Sequence, residues 1–249
     1  MKVIIYASHI ENEDKILLIQ KNMEYLKPCV DLIYIIYSLK EQDIKLKNKL
    51  IDIYDDNSVR LFYVENSGYD FWKYKQGIEL INSLERDYTI LMNDSITITR
   101  QVDDLFNIID DNIINNNIEY LGLLESTERI KHYQSWFWVL TPKVLEYFNK
   151  NILKTKYEKK DDNIKYYELR GSNILIKLFK SNSLYNFDVK KNIFYHHPEK
   201  YIEALQDGFP IIKNNLFSKK FMKSHRLNRD KQIDSFISPE ILSILGNFQ

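Results

Sequence analysis

Two short polar patches each follow an apolar run and each carry an acid: Asn66-Ser67-Gly68-Tyr69-Asp70 after Leu61-Phe62-Tyr63-Val64, and Asn93-Asp94-Ser95 after Tyr88-Thr89-Ile90-Leu91-Met92. An acid at the carboxyl end of a buried strand of an α/β sheet sits where such sheets open a crevice, the usual place for a ligand. The two patches are therefore expected to share one pocket, and a nucleotide is its first candidate occupant. Transfer chemistry on a nucleotide-activated group needs a counter-charge for a diphosphate and a base for an acceptor hydroxyl. Asp94 is the best-placed carboxylate for the first task, through a divalent Mg or Mn ion shared with the phosphates. Asn93 and Ser95 would orient it or contact the ligand. The alternative is a turn that caps a strand with a solvated Asp.

The second task falls to Glu168 in Tyr166-Tyr167-Glu168-Leu169-Arg170-Gly171-Ser172, where flanking aromatics can desolvate a carboxyl and raise its pKa. Glu168 reads equally as a surface helical residue paired with Arg170 or Lys165. His132, Gln134 and Ser135 lie just before Trp136-Phe137-Trp138-Val139-Leu140, where they can supply hydrogen bonds and the tryptophans either a stacking face or core packing. His196 and His197 lack companion acids at metal-ligand spacing, which leaves a structural or acceptor-facing role. Lys213, Lys219, Lys220, Lys223, Arg226, Arg229 and Lys231 crowd into a span with few acids, either a solvated charge run or a contact for phosphates or a membrane-bound anionic acceptor.

These residues need a scaffold, and the first half of the chain supplies an alternation of apolar runs and amphipathic stretches typical of β-α units on a mainly parallel sheet. Strands are expected at 2–7, 31–37, 60–64, 88–92 and 120–124, and helices at 12–22, 41–54, 69–84 and 102–109. In the third helix Trp72, Ile78, Ile81 and Leu84 fall near one face, with Lys73, Lys75, Glu79 and Asn82 toward the other. Its N-terminus is expected to offer unpaired N–H groups to an anion. Beyond the strand at 136–140, Thr141-Pro142 reads as an N-cap with proline at the first helical position, opening a helix to about Ile152. The charged stretch 154–163 reads as a surface loop or lid, and 164–180 as helix interrupted near Gly171.

Composition narrows the classes. The chain has 249 residues with 35 Lys+Arg and 35 Asp+Glu, so no overall field draws it to polyanions and nucleic-acid binding is not expected. Cys29 stands alone, which rules out an internal disulfide and fits a reducing compartment. No segment approaches the roughly 20 apolar residues of a membrane span, and the first residues read as a strand rather than a signal peptide. A cytoplasmic location is expected, with peripheral contact at the cytoplasmic face of a membrane through the basic C-terminal run. Ile, Lys, Asn and Tyr are abundant and alanine occurs only twice, so Asn or Lys alone carries little information.

In this order, Asn66-Ser67-Gly68-Tyr69-Asp70, Asn93-Asp94-Ser95, His132-Tyr133-Gln134-Ser135-Trp136-Phe137, Tyr167-Glu168 with Ser172, and Gly208-Phe209-Pro210-Ile211-Ile212-Lys213 resemble the rhamnan synthesis protein F family of glycosyltransferases over about residues 60–217. The resemblance implies a GT-A-like single domain over 1–217, with a Rossmann-like nucleotide-binding half and a basic, helical C-terminal extension over 218–249. It implies transfer of a sugar, such as rhamnose or another deoxyhexose or hexose, from a nucleotide-sugar donor to a glycan or lipid-linked saccharide acceptor in surface polysaccharide biosynthesis. On that analogy Asp94 matches the metal- and diphosphate-binding acid. Asn66, Gly68, Asp70, Asn93, Ser95 and Lys213 belong to the donor side, His132, Gln134 and Ser135 to the acceptor side, and Glu168 is the leading base.

Two other functions keep the same scaffold. A sugar-phosphate nucleotidyltransferase would carry a glycine-rich loop after the first strand, where this chain has Ala7-Ser8-His9-Ile10-Glu11. A non-catalytic carbohydrate-binding or assembly protein would bind sugar without nucleotide. For the transferase, Asp94→Asn is expected to abolish turnover while leaving stability within about 1 kcal/mol, as for an exposed site residue.

Overall fold

The computed structural model describes residues 1–40, 43–54, 57–187 and 193–217. Its centre is a sheet built from β1 (Lys2–Ile10), β2 (Leu32–Leu39), β3 (Val59–Tyr63), β4 (Tyr88–Asn93), β6 (Tyr120–Ser126), β7 (His132–Tyr133), β8 (Phe137–Leu140) and β9 (Ser181–Tyr185). The order is β3-β2-β1-β4-β8-β6-β7, with β9 pairing β6. The first four strands are parallel, β8 runs antiparallel to both β4 and β6, and β9 is parallel to β6. A separate two-stranded pair joins β5 (Ile96–Ile98) to β10 (Ile211–Lys213). The mainly parallel sheet flanked by helices that the sequence predicts is thus present.

Buried apolar runs make the parallel strands. β1, β2 and β4 are covered on both faces, and two cores form on either side. One face is closed by α1 (Glu13–Leu26), α2 (Ile44–Ile53), α4 (Asp103–Asp110) and the helices Ile193–His196 and Pro198–Gln206; the other by α3 (Tyr69–Leu80), α5 (Pro142–Tyr147) and the helical turns over 148–178. Asn12 caps α1 by accepting from the Lys15 N–H at 3.0 Å, and Asp43 caps α2. Four strands escape the sequence reading. β5, β7 and β10 are only two or three residues long, and β9 is polar because it lies at an edge of the sheet.

The helix α3 sets the geometry of the site. Gly77 lets it approach β1 and β2 closely: a Cβ there would lie 2.4 Å from Ile5 Cγ2. The face it turns to the sheet carries Phe71, Lys73, Tyr74, Gly77 and Ile78, whereas Trp72 is only half-buried. The expected orientation is therefore rotated, and Lys73 is buried rather than solvent-facing. The signal was present in the Lys73, Gly77, Ile81 spacing of one helical stripe.

Gly68 opens α3 with φ +64°, and a Cβ there would meet Trp72 Cβ at 2.6 Å. Gly68→Ala is accordingly expected to destabilise the fold by about 2–4 kcal/mol, from left-handed backbone strain and overpacking together. A urea denaturation midpoint equal to that of the unaltered protein would refute this.

Two further expectations are corrected. The helix formed by α6 (Lys160–Asn163), the π-helical turns Ile164–Gly171 and α7 (Ser172–Leu178) runs without a break. Gly171 sits in it with ordinary helical angles, φ −60° and ψ −52°, and makes room for Ile152. Part of the stretch read as loop or lid, 160–163, is therefore helix. Past β9 come α8 (Ile193–His196) and α9 (Pro198–Gln206), which leads through Gly208 into β10. The basic residues from Lys219 onward and the 218–249 extension lie outside the described residues. Among those described, no helix is long and apolar enough to cross a membrane.

Candidate active site

The carboxyl end of β4, the first turn of α1, the start of α3, the segment before β8, the 164–171 helix and β10 meet at a cleft of about 880 Å³. Asp70, Asn93, Asp94, Ser95, His132, Gln134, Ser135, Glu168 and Lys213 all line it. Gly68 does not; its contribution is the backbone turn. Asn66 also lies apart, at the tips of β1 to β3, where its Oδ1 accepts from the Ser38 hydroxyl at 3.2 Å and its amide lies 3.4 Å from His9 Nε2. Ser38 in turn lies 3.0 Å from His9 Nδ1. Burial, with the Lys73 charge second, lowers the His9 pKa and favours the neutral ring.

Asp94 is not an exposed residue of a turn. It is 9% exposed, and its Oδ2 accepts from the Ser8 hydroxyl at 2.7 Å and the His9 N–H at 3.0 Å. The Lys15 ammonium completes the set, 3.2 Å from Oδ2 and 3.2 Å from the Asp94 carbonyl. β1 runs to Ile10 rather than Ala7, which is what carries Ser8 and His9 to this carboxylate.

The rest of the turn is held from the other end of the chain. Asn214 donates its side-chain amide to the Asp94 carbonyl at 3.0 Å and its backbone N–H to the Ser95 carbonyl at 2.9 Å, and accepts from Thr97 at 2.6 Å. Next to it, Lys213 donates to the Ser95 hydroxyl at 2.5 Å and lies 5.5 Å from the centre of the Trp136 ring. Ser95 hydrogen-bonds Asn93 Oδ1, and the Asn93 amide donates to Asp70 Oδ2 at 2.8 Å. A single chain of hydrogen bonds therefore joins β10, the Asn93-Asp94-Ser95 turn and α3. Burial draws the Lys213 pKa down to about 8, against the pull of Glu168, Asp70 and Asp94. Burial, then the Asp94 charge, raises that of Asp70.

Glu168 lines the cleft and is bonded to Ser135. Its side chain is 21% exposed, and Oε2 accepts from the Ser135 hydroxyl and from the Ser135 N–H at 3.2 Å. Oε1 lies 4.0 Å from His132 Nε2. The other His132 nitrogen, Nδ1, is 2.8 Å from the Ile130 carbonyl, so in the neutral ring Nδ1 carries the proton and Nε2 is an acceptor facing Glu168. Tyr74 of α3 braces the arrangement through the Ser135 carbonyl at 3.4 Å. Gln134 is 6% exposed and accepts from Trp136 Nε1 at 3.1 Å.

The two tryptophans part company. Trp138 is fully buried among Phe71, Tyr120 and Phe148, while Trp136 lines the cleft beneath Lys213. Ser172 is a clip rather than a ligand contact, since its buried hydroxyl accepts from the Tyr133 N–H at 2.8 Å and pairs with Tyr120 at 2.9 Å. His196 and His197 face Glu128 and Glu199 at 3.4 and 3.5 Å, which gives them surface ion-pair partners. The expected anion site at the start of α3 is also taken. The Gly68 N–H donates to Glu158 at 3.4 Å and Asp70 occupies the first turn, so two carboxylates already face the positive helix end.

Lys15, Lys73, Ser8, His9, Ser38 and Asn214 were not found in the sequence. Lys73 is 2% exposed, and burial lowers its pKa while Asp70 and Asp94 pull it back up.

A divalent ion bound through one or two carboxylates and substrate phosphates needs carboxylate oxygens turned to the ligand. Here Asp94 Oδ2 already has two hydrogen-bond donors and an ammonium, and Asp70 Oδ2 holds Asn93. Among the described residues no group of three or more His, Cys, Asp and Glu side chains is arranged to hold a metal. A divalent ion at Asp94 would have to share the carboxylate with the Lys15 ammonium, so this donor set fits a divalent ion poorly.

No protein-family model matches the chain, and no curated protein matches it. Solved structures similar to it include HddC from Yersinia pseudotuberculosis, at 16% identity and a TM-score of 0.44 over 83% of this chain and 98% of that one. A putative nucleotide-diphospho-sugar transferase from Desulfovibrio desulfuricans gives 11% identity and 0.44 over 94% and 97% of the two chains. The glycosyltransferase GlyE of Streptococcus pneumoniae gives 11% and 0.45, and the match covers 99% of this chain but 60% of GlyE.

Proposed function

We propose that the protein is a GT-A-like glycosyltransferase of the rhamnan synthesis type. It moves a sugar from a nucleoside-diphosphate donor to a hydroxyl of a glycan or lipid-linked acceptor. The observation that carries this reading is the meeting, in one cleft, of a lysine-flanked turn at the carboxyl end of β4 with a carboxylate held in place by Ser135. A protein that only binds sugar has no use for that pairing. A diphosphate leaving group and an acceptor proton call for both.

In this reading the nucleoside lies over the tips of β1, β2 and β3, where His9, Ser38 and Asn66 form a polar edge. The diphosphate lies against Asn93-Asp94-Ser95. Glu168 is the base. The two Ser135 donors fix Oε2 and leave Oε1, beside His132 Nε2, to take the acceptor proton. As the acceptor oxygen bonds to the anomeric carbon, the bond to the diphosphate oxygen breaks and its electron pair leaves with the nucleotide. His132 and Gln134 orient the acceptor, which reaches the site past Glu128, Arg129 and Lys165 of the cleft lining.

The test is release of nucleoside diphosphate from a panel of UDP-, GDP- and dTDP-sugars, offered with simple saccharide acceptors and followed by mass spectrometry. Release from one donor class, stimulated by an acceptor, supports the transferase. Formation of a nucleotide-sugar from sugar phosphate and nucleoside triphosphate would instead place the protein among nucleotidyltransferases.

A further inference from the structure

On the reading just given, the leaving diphosphate needs a counter-charge, and Asp94 and Asp70 each already hold a neighbour through Oδ2, Asp94 the Lys15 ammonium among them. We propose that Lys15 and Lys213 act as tethered cations that neutralise the leaving diphosphate in place of a divalent metal, so that the protein binds nucleoside diphosphates and turns over donor in metal-free solution.

Both ammonium groups line the cleft and both are fixed on the same turn, from different elements. Lys15 comes from α1 and is held on Asp94, through the carbonyl and Oδ2. Lys213 comes from β10 and is held on Ser95. Asn214 locks the second of these in register by gripping Asp94 and Ser95 with three groups, two on the turn and one on Thr97.

The local charge points the same way. Lys15, Lys73 and Lys213 supply three ammonium groups against the carboxylates of Asp70, Asp94 and Glu168, so the cleft holds as many cationic as anionic side chains around the turn. Lys73 is buried behind the turn, with Asp70 and Asp94 as the charges that favour its protonated form. At the turn itself a diphosphate meets the two ammonium groups held on Asp94 and Ser95. The Asp94 carboxylate then has a different task from the one its position in the sequence implies: it positions Lys15.

As the glycosidic bond breaks, its electron pair passes to the diphosphate oxygen, and the negative charge that grows there is met by N–H donors of Lys213 and Lys15. Their protons stay on nitrogen, and the acceptor proton goes to Glu168, so no further reactant is required.

The experiment is calorimetric titration of the full chain with UDP, GDP and dTDP, once in millimolar EDTA and once in Mn²⁺. The expected result is equal affinity in both for the nucleotide that binds. Lys213→Met should lose at least about tenfold in affinity in EDTA, as for removal of one charge-assisted hydrogen bond, and Lys213→Arg should keep most of it. A matching thermal transition for the variants shows that the fold is intact. Binding that disappears in EDTA and returns with Mn²⁺ overturns the proposal but leaves the glycosyltransferase reading standing. Undiminished affinity in Lys213→Met overturns it as well. No binding under either condition overturns both.

Discussion

Glu168→Gln is expected to lower turnover by about 10²–10⁴-fold, the range for loss of a positioned general base, while leaving nucleotide affinity unchanged. Gln keeps an oxygen for the Ser135 donors, so the cost to the fold should stay near about 1 kcal/mol. What it loses is the ability to accept a proton beside His132. The effect should therefore fall on kcat rather than on the KM for donor. Ser135→Ala provides the companion result. It removes the hydroxyl donor and leaves the Ser135 N–H on the carboxylate, and a smaller loss of kcat with an altered pH profile marks Ser135 as a positioning residue. A Glu168→Gln protein with full turnover would show that the base lies elsewhere.

Asp94→Asn is the second large effect, and it should be felt in both stability and function. The carboxylate is 9% exposed and carries the Ser8, His9 and Lys15 contacts together. Removing its charge takes the carboxylate from a partly buried Lys15, which keeps the Asp94 carbonyl, and breaking such a pair costs up to about 3–5 kcal/mol. The sequence-based expectation of a change within about 1 kcal/mol is thus replaced, because burial and three donors make this a structural ion pair as well as a site residue. Nucleotide affinity should fall with it, since Lys15 is then held less firmly over the turn. Urea denaturation and titration with nucleoside diphosphate measure the two effects. A variant as stable as the parent would contradict the role given to Asp94.

The legible part of this protein was the part written in apolar residues. The runs at Val3-Ile4-Ile5-Tyr6, Leu32-Ile33-Tyr34-Ile35-Ile36 and Thr89-Ile90-Leu91-Met92 are fully buried, and burial on both faces leaves no alternation to misread. Where a strand is short or lies at an edge, as with Ile211–Lys213 and Ser181–Tyr185, its pairing partner is distant in sequence and the residues carry no such mark. The site divides in the same way. Asp70, Asn93, Asp94, Ser95 and Glu168 were visible because each sits in a short polar break or an aromatic flank.

The residues that hold them were not visible. In a chain rich in Lys and Asn, nothing distinguishes Lys15 or Asn214 from solvated neighbours, and Lys73 is marked only by its stripe with Gly77 and Ile81. Their importance arises only when β5 pairs with β10 and when α3 turns its Lys73 stripe inward. That same pairing explains why Gly208-Phe209-Pro210-Ile211-Ile212-Lys213 and Asn93-Asp94-Ser95 belong together. The antiparallel register Lys213↔Ile96 places the lysine beside Ser95. Gly171 shows the opposite error. Its residue type suggests a break, but the helix passes through it because the missing side chain makes room for Ile152.

The central claim is that this cleft receives a nucleoside diphosphate, and its most direct test is a thermal-shift screen of the protein against UDP, GDP, dTDP and CMP, each with EDTA and with Mn²⁺. Ligand linkage adds about 2.7 kcal/mol to the folded state at a hundredfold excess over Kd. One nucleotide should therefore raise the transition clearly above the others, and do so equally in EDTA. A transition unmoved by every nucleotide at millimolar concentration would contradict the glycosyltransferase reading and move a carbohydrate-binding or assembly role ahead of it.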